Sequence, residues 1–296
     1  MHILYVAKHR GGGNDDEGAI TYGLRELGHT VTTIDENRGH QASAHIGGAD
    51  ICLFHKWQDL NTIRKITIPK VFWYFDLVTY DDIKLDVRNG QRVQWMEAVT
   101  PLVDLGFCTD GDWVSHDTSG KLHHLTQGAD VRTALPGNPL PAGPPIALTG
   151  IRTGGGTGRE SHVDELVSTY GSSFHHVISG VHGSQLADVI ARSRIMIAPD
   201  SPTTDLYWSN RVYLTLGYGG FMLHPYCHNL TRHYTDGVHL VYYHTRQDLN
   251  EKVEHYLHHP DVCHRIAAAG YAHTLAHHTY TRRCRALVKT AEDHLL

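Results

Sequence analysis

Short apolar runs alternate with amphipathic stretches along the whole chain. Residues 2–7, His-Ile-Leu-Tyr-Val-Ala, form the first run and end in Lys8-His9-Arg10-Gly11-Gly12-Gly13. Helical spacing follows from Asp15 or Asp16 through Leu24 and Leu27 to Gly28-His29, and residues 30–34 read as a second strand. This order of strand, glycine-rich turn, helix and strand is the repeating unit of a parallel sheet. Further strands are predicted at 50–54, 70–75, 105–108 and 123–125, each apolar on both sides, as strands covered by helices on two faces must be. Five of the eleven prolines fall between Ala134 and Pro145, which predicts a stiff linker and a domain boundary. The pattern then restarts. Strands are expected at 146–149, 174–178, 195–198, 221–223 and 239–243, with helices at 160–170 and 185–192. The C-terminal third reads as three helices, 248–258, 261–278 and 280–295.

Composition narrows the class. At 296 residues the chain is long enough for two domains, and 41% hydrophobic with 19% charged residues describes a globular protein. There is no apolar run of about 18 residues and no leader pattern, so a cytoplasmic protein without membrane insertion is expected. Five scattered cysteines without a C-x-x-C spacing read as free thiols, not as a disulfide framework or zinc site. A net charge of −5 gives no general attraction to nucleic acid. The 26 histidines equal Lys and Arg together. Pairs such as His255/His259 and His273/His277 share a helix face, but nothing completes a metal ligand set, so solvent-facing imidazoles are expected and no metal site is assigned.

The stretch 205–225, D-L-Y-W-S-N-R-V-Y-L-T-L-G-Y-G-G-F-M-L-H-P, carries the strongest chemical signal. Ser209 or Asn210 is expected to cap a helix starting at Arg211, and Gly217, Gly219 and Gly220 to stop it before a strand that ends at Pro225. A helix start beside a guanidinium suits a diphosphate. The glycine-rich stretch from Gly150 to Arg159 adds Arg152 and Arg159 at the edge of the second sheet where open α/β folds bind ligands. Neither this stretch nor Gly11–Gly13 matches the dinucleotide or phosphate-loop fingerprints. Asp110-Gly111-Asp112 mimics a metal-binding D-x-D, but Asp112 reads better as the cap of a helix opening at Trp113.

The order S-N-R-V-Y-L-T-L-G-Y-G-G-F-M-L-H-P, D-G-V-H-L-V-Y-Y, then L-H-H-P-D-V-C-H-R-I-A-A-A-G-Y and H-T-Y resembles the C-terminal half of CgeB-like glycosyltransferases, akin to the family-4 enzymes (glycosyl transferases group 1). Gly11–Gly13, Gly28-His29-Thr30-Val31 and Gln127-Gly128-Ala129-Asp130 agree more loosely with the N-terminal half. The resemblance implies an α/β protein of GT-B fold, two Rossmann-like domains facing across a cleft. Residues 1–133 would form an acceptor domain, 134–145 a linker, 146–278 a nucleotide-sugar domain, and 279–296 a helix returning to the first domain. It implies transfer of a sugar from a nucleotide diphosphate-sugar, with a UDP-sugar expected, to an acceptor hydroxyl, and no cofactor beyond the donor. Donor-binding residues would be Gly12, Gly13, Gly150, Arg152, Arg159, His182, Asp205, Ser209, Asn210 and Arg211. If the enzyme inverts, base candidates at strand ends of the first domain are Asp76, favoured, His55 and Asp16; a retaining enzyme needs none. Trp57, Trp73, Tyr74 and Trp95 lie on the acceptor side, with core the default for Trp73 and Tyr74. One departure stands out: the family's ribose-gripping glutamate falls at Leu214 and its second glutamate at Leu206, beside Asp205. A hexosyl- or pentosyltransferase acting on a glycan, a small molecule or a hydroxymethylated DNA base is the leading expectation. A non-catalytic nucleotide-sugar-binding protein and a sugar-nucleotide epimerase are the alternatives.

Overall fold

The computed structural model describes residues 1–9, 15–56, 58–78, 87–132, 143, 145–150, 159–177, 181–198 and 204–296, with the side chains of 87–90 excepted. Two units are distinguished, one holding the described residues up to Gln127 together with Tyr280–Leu296, the other the described residues of Gly128–Thr279. The expected linker at 134–145 falls almost wholly outside the described residues.

The first unit is built on a six-stranded sheet: β1 (His2–Ala7), β2 (Thr30–Asp35), β3 (Ile51–His55), β4 (Lys70–Tyr74), β5 (Leu105–Cys108) and β6 (Leu122–His124). Its order is β2-β1-β3-β4-β5-β6 and every pairing is parallel. Because side chains alternate across a strand, both faces must be covered, and they are. On one face Ile3, Tyr5, Leu53, Val71 and Trp73 pack against Ile20 and Leu24 of α1 (Asp16–Glu26) and Leu287 and Val288 of α10 (Tyr280–Leu295). On the other, Leu4, Val6, Phe54, Phe72 and Tyr74 meet Ile63 of α2 (Leu60–Lys65) and Met96 and Val99 of α3 (Val87–Val99). The α2 and α3 helices and a 3-10 turn at Glu36–Ala44 occupy stretches in which the sequence pattern predicted no element. The first is only six residues long, too short to display a helical period.

The second unit carries β7 (Ile146–Thr149), β8 (Phe174–Val177), β9 (Ile195–Ile197), β10 (Met222–Pro225) and β11 (Val241–Tyr243), ordered β11-β10-β9-β7-β8 and again wholly parallel. Around it stand α5 (Arg159–Tyr170), α6 (Gly183–Arg192), α7 (Arg211–Gly217), α8 (Arg246–His258) and α9 (Pro260–His277). Pro225 is the last residue of β10, where the sequence places the end of the strand. A proline is tolerated there because the pairing with β9 uses Met222 and Leu223 only.

The cap at α4 (Gly111–Ser115) also differs from expectation. Asp110, not Asp112, is the capping residue: its buried carboxylate accepts from the backbone N–H groups of Asp112 and Trp113, both at 3.1 Å, and from that of Val78 at 2.8 Å. Among the described residues all five cysteines are buried and free, no group of three His, Cys, Asp or Glu could hold a metal ion, and no helix is long and apolar enough to cross a membrane.

In each sheet the chain reverses its direction of growth once. It starts at β1, adds β2 on one side and β3 on the other; it restarts at β7, adds β8 on one side and β9 on the other. Helices leave such neighbouring strands in opposite directions, which opens a crevice at their carboxyl ends. The two crevices, at β1/β3 and at β7/β9, are where the remaining polar features collect.

Candidate active site

At the carboxyl end of β7 the backbone turns at Gly150 with φ +123°, a conformation L side chains rarely adopt. Its N–H donates to Val177 O at 3.0 Å, and His176 Nε2 lies 2.8 Å from its carbonyl oxygen. Arg211, the first residue of α7, closes the arrangement: its Nε donates to Thr149 O at 2.7 Å and its Nη1 to Ser209 Oγ at 3.2 Å. The guanidinium lies so close to Gly150 that a Cβ there would fall 2.5 Å from Nη2. The guanidinium is thus held at the carboxyl end of β7 by a carbonyl and a hydroxyl. Behind it Trp208, buried, donates from Nε1 to Tyr213 Oη at 2.9 Å and fastens the segment that leads into α7.

The capping of this helix is weaker than its sequence promised. Asn210 occupies the cap position in a helical conformation and its side chain makes no capping bond; Ser209 Oγ accepts from Arg211 N at a long 3.4 Å. The helix is seven residues long, so the fixed guanidinium, rather than a helix dipole, is what this site offers an anion. Its stop is as expected, with Gly219 at φ +77° and Gly220 N donating to Thr215 O at 2.8 Å. Leu214, where the family resemblance places a glutamate, packs against the apolar cluster of Ala147, Leu186, Ile190 and Tyr218.

Other expected donor residues stand on separate elements. Arg159 is buried at the first position of α5. His182 is exposed at the cap position of α6 with no capping bond, and Asp205 is exposed in the turn before Trp208. Gly12, Gly13, Arg152 and the aromatic Trp57 lie outside the described residues. Trp73 and Tyr74 are core, and Trp95 stacks on Tyr74 at 5.7 Å.

The first unit holds a second cluster at its own crevice. His55, the last residue of β3, is buried; its Nδ1 lies 3.1 Å from Tyr5 Oη and 3.5 Å from Glu17 Oε1. Burial, then Lys56 and His9, hold its pKa well below 6.5, so the ring is neutral. Lys56 reaches Glu17 Oε1 at 3.1 Å and Asp16 Oδ2 at 3.6 Å, and its ammonium stands 5.6 Å from the centre of the Phe75 ring. Its backbone, at φ +59°, is the only left-handed non-glycine among the described residues. Glu17 is buried, and desolvation raises its carboxyl pKa against the opposing pull of Lys56. Tyr280 of α10 donates to Asp16 Oδ1 at 2.7 Å. Of the three base candidates, Asp16 and His55 therefore meet in one cluster. Asp76 has a half-exposed side chain, with Arg92 4.0 Å away. Glu17, Lys56 and Tyr5 were not singled out by the sequence, although the run N-D-D-E-G contains the first of them.

Comparison with known proteins bears on the fold and the family. Residues 159–289 match the family described as "Glycosyl transferase-like", a stretch that holds Arg211 and the helices after it. No curated protein matches the chain in sequence. Solved structures match over nearly its whole length. Sucrose-phosphate synthase from Thermosynechococcus elongatus superposes with a TM-score of 0.69 at 12% identity, covering 99% of this chain and 98% of that one. Anabaena HepE, solved in complex with UDP and glucose, gives 0.66 at 8% identity over 99% and 100%. The β-glucosyltransferase of T4 phage gives 0.63 at 10% identity over 100% of both chains. With its two parallel Rossmann-like sheets, the chain has the α/β fold of the GT-B glycosyltransferases.

Proposed function

We propose that the chain is a glycosyltransferase that moves a sugar from a UDP-sugar to an acceptor hydroxyl. The observation that carries this reading is the guanidinium of Arg211, pinned by Thr149 O and Ser209 Oγ against Gly150 at the crevice of the second sheet. As the bond from the anomeric carbon to the diphosphate breaks, negative charge grows on the leaving oxygen. A fixed cation there stabilises that charge without reorganising during the reaction. UDP is the favoured nucleotide because HepE and the T4 enzyme were solved with it. Gly150, Ser209 and Arg211 are the donor residues this reading rests on. Arg159, His182, Asp205 and Asn210, and Gly12, Gly13 and Arg152 outside the described residues, remain proposed contacts.

The test is UDP release from a panel of UDP-sugars, alongside UDP binding by calorimetry. Arg211→Ala is expected to lower release at least about 100-fold, the usual cost of removing one charge-stabilising donor, with the thermal melt preserved. Release unchanged in that variant would refute the reading. A second reading, a nucleotide-sugar-binding protein without transfer activity, is favoured by Leu214, which puts an apolar contact where the resemblance places a carboxylate. It predicts UDP binding with no UDP release for any donor or acceptor. For the acceptor, the likeness to the T4 enzyme makes hydroxymethylated DNA one class to test, against unmodified DNA, free glycans and small alcohols. The net charge of −5 weighs against duplex binding, which relies on counter-charging phosphates.

A further inference from the structure

We infer that a histidine cluster of the second unit is a proton-sensitive latch on the donor site. With its rings neutral it holds the segment that carries Ser209 and Arg211; with them charged it lets that segment go, and affinity for a diphosphate falls. This rests on the donor-site reading above. The cluster joins two elements. His233 and His239 belong to the connection between a 3-10 turn at Leu230–Arg232 and β11, and His273 and His277 to α9, with His278 as the cap of that helix. His278 is buried, and His239 and His273 are half-buried. The rings of His239 and His273 stack, with centres 4.1 Å apart and planes 14° from parallel. His277 stands 4.7 Å and His278 5.3 Å from His273, and His278 lies 5.5 Å from His233. The rings stack instead of converging, in keeping with the lack of a metal-holding group among the described residues.

One bond in the cluster requires an uncharged ring. The backbone N–H of Thr235 can only donate, so His239 Nδ1, 3.1 Å away, accepts with a bare lone pair. A proton on that nitrogen sets two donors against each other. His273 Nε2 donates to the carbonyl oxygen of His233 at 2.7 Å and so ties the connection to α9. Charging both stacked rings would hold two cations face to face in a partly desolvated place. Burial, then His273 and His277, lower the pKa of His239, the direction expected where charging is resisted. Of the other charged side chains of the connection, Arg232 is exposed and Asp236 Oδ1 accepts from Tyr242 N at 2.9 Å. The remaining titratable neighbours are the phenols of Tyr234, Tyr242 and Tyr213. Aromatic contacts link this cluster to Arg211. Buried Tyr234 stands 5.5 Å from His273 and 4.8 Å from His278. Tyr213 of α7, the helix that Arg211 opens, lies 6.0 Å from His278. Trp208, which donates to Tyr213 Oη, lies 5.5 Å from His233. Gly270 of α9 has no room for a Cβ between His239 O and Leu216 of α7. The elements that hold the histidines therefore also hold the segment from Trp208 to Arg211.

The experiment measures the affinity of the full chain for UDP by calorimetry at pH 7.5 and pH 5.5. His239→Asn keeps an acceptor for Thr235 N and His273→Gln keeps a donor for His233 O, yet neither new side chain takes a proton. The titration of UDP itself and of His176 beside Gly150 is common to wild type and variants, so the difference between proteins reports the cluster. Protons favour the released segment, whose histidines titrate near 6.5, and UDP favours the held one; affinity therefore falls as pH drops below about 6.5. In wild type it should fall about tenfold further than in either variant, a coupling of ordinary size between two sites. An equal fall in wild type and both variants overturns the latch. Fluorine NMR of wild-type protein carrying fluorotryptophan, with Trp208 assigned through Trp208→Phe, needs no folded histidine variant. The Trp208 resonance should move between pH 7.5 and pH 5.5, and saturating UDP at pH 5.5 should return it toward its pH 7.5 position, because such coupling is reciprocal. A resonance indifferent to pH or to UDP overturns the latch as well. Wild-type protein that binds no UDP at pH 7.5 overturns the donor-site reading itself, and the latch with it, so the two failures are distinguishable.

Discussion

At the scale of single residues, Gly150 decides whether Arg211 keeps its place. Its φ of +123° suits glycine alone, and any Cβ would meet Arg211 Nη2 at 2.5 Å. Gly150→Ala is therefore expected to destabilise the fold by about 1–2 kcal/mol and to weaken UDP binding at least tenfold. A urea titration and calorimetry read the two effects, and unaltered UDP affinity would separate Gly150 from the donor site. Arg211 was legible in the sequence because S-N-R precedes an apolar run that glycines terminate. The partner of the Gly150 carbonyl, His176, was not, since one histidine among 26 carries no signal until β8 sets it beside Gly150. Glu17 was hidden for a related reason: an acidic residue in the first turn of a helix is ordinary, and Asp15 and Asp16 stand next to it. The left-handed backbone of Lys56 leaves no trace in composition at all.

At the scale of elements, the strands were legible and the short helices were not. Continuous apolar runs such as Ile51–His55 and Lys70–Tyr74 could only be strands buried on both faces, whereas α2 and α4, at six and five residues, are stabilised by caps from Asp59 and Asp110. The α5 helix adds a dependence on acidity. His162 in its first turn has its pKa pushed down to about 4 by burial and by Arg246, with Glu165 opposing. An unfolded histidine titrates near 6.5, so between 6.5 and about 4 the unfolded chain binds the proton and the folded one does not. The fold holds its full stability above about 6.5 and loses it as pH falls, by on the order of 3 kcal/mol from this residue alone near pH 4. His29, His55, His123, His124 and His239 are lowered in the same direction. Urea midpoints should be lower at pH 5 than at pH 7.5, and His162→Gln should narrow the gap. Equal midpoints at the two values would contradict this account.

At the scale of the whole molecule, the last helix is part of the first unit's core. Tyr280 bonds Asp16, Cys284 Sγ donates to Ile20 O at 3.6 Å, and Leu287, Val288 and Ala291 lie in the cluster beneath β1 and β3. A Cβ on Gly23 would come within 3.0 Å of the Thr281 backbone, which shows how closely α1 and α10 approach. Removing residues 280–296 should uncover Ile20 and Leu24 and yield aggregated or protease-sensitive protein. A truncated chain that melts cooperatively at the wild-type temperature would refute that. The amphipathic spacing of 280–295 announced a helix, but the surface it covers depends on contacts nearly the full chain length away, which no local pattern encodes.

The packing of α10 on α1 has a consequence for biosynthesis. Ribosomes deliver β1 to β6 first, yet one face of their sheet is covered by α1 without α10 until residue 295 has emerged. The middle of the chain is complete earlier and is free to fold while the opening segment waits. Nascent chains halted before residue 280 should therefore protect the 146–279 region from protease while leaving residues 1–127 open to cleavage.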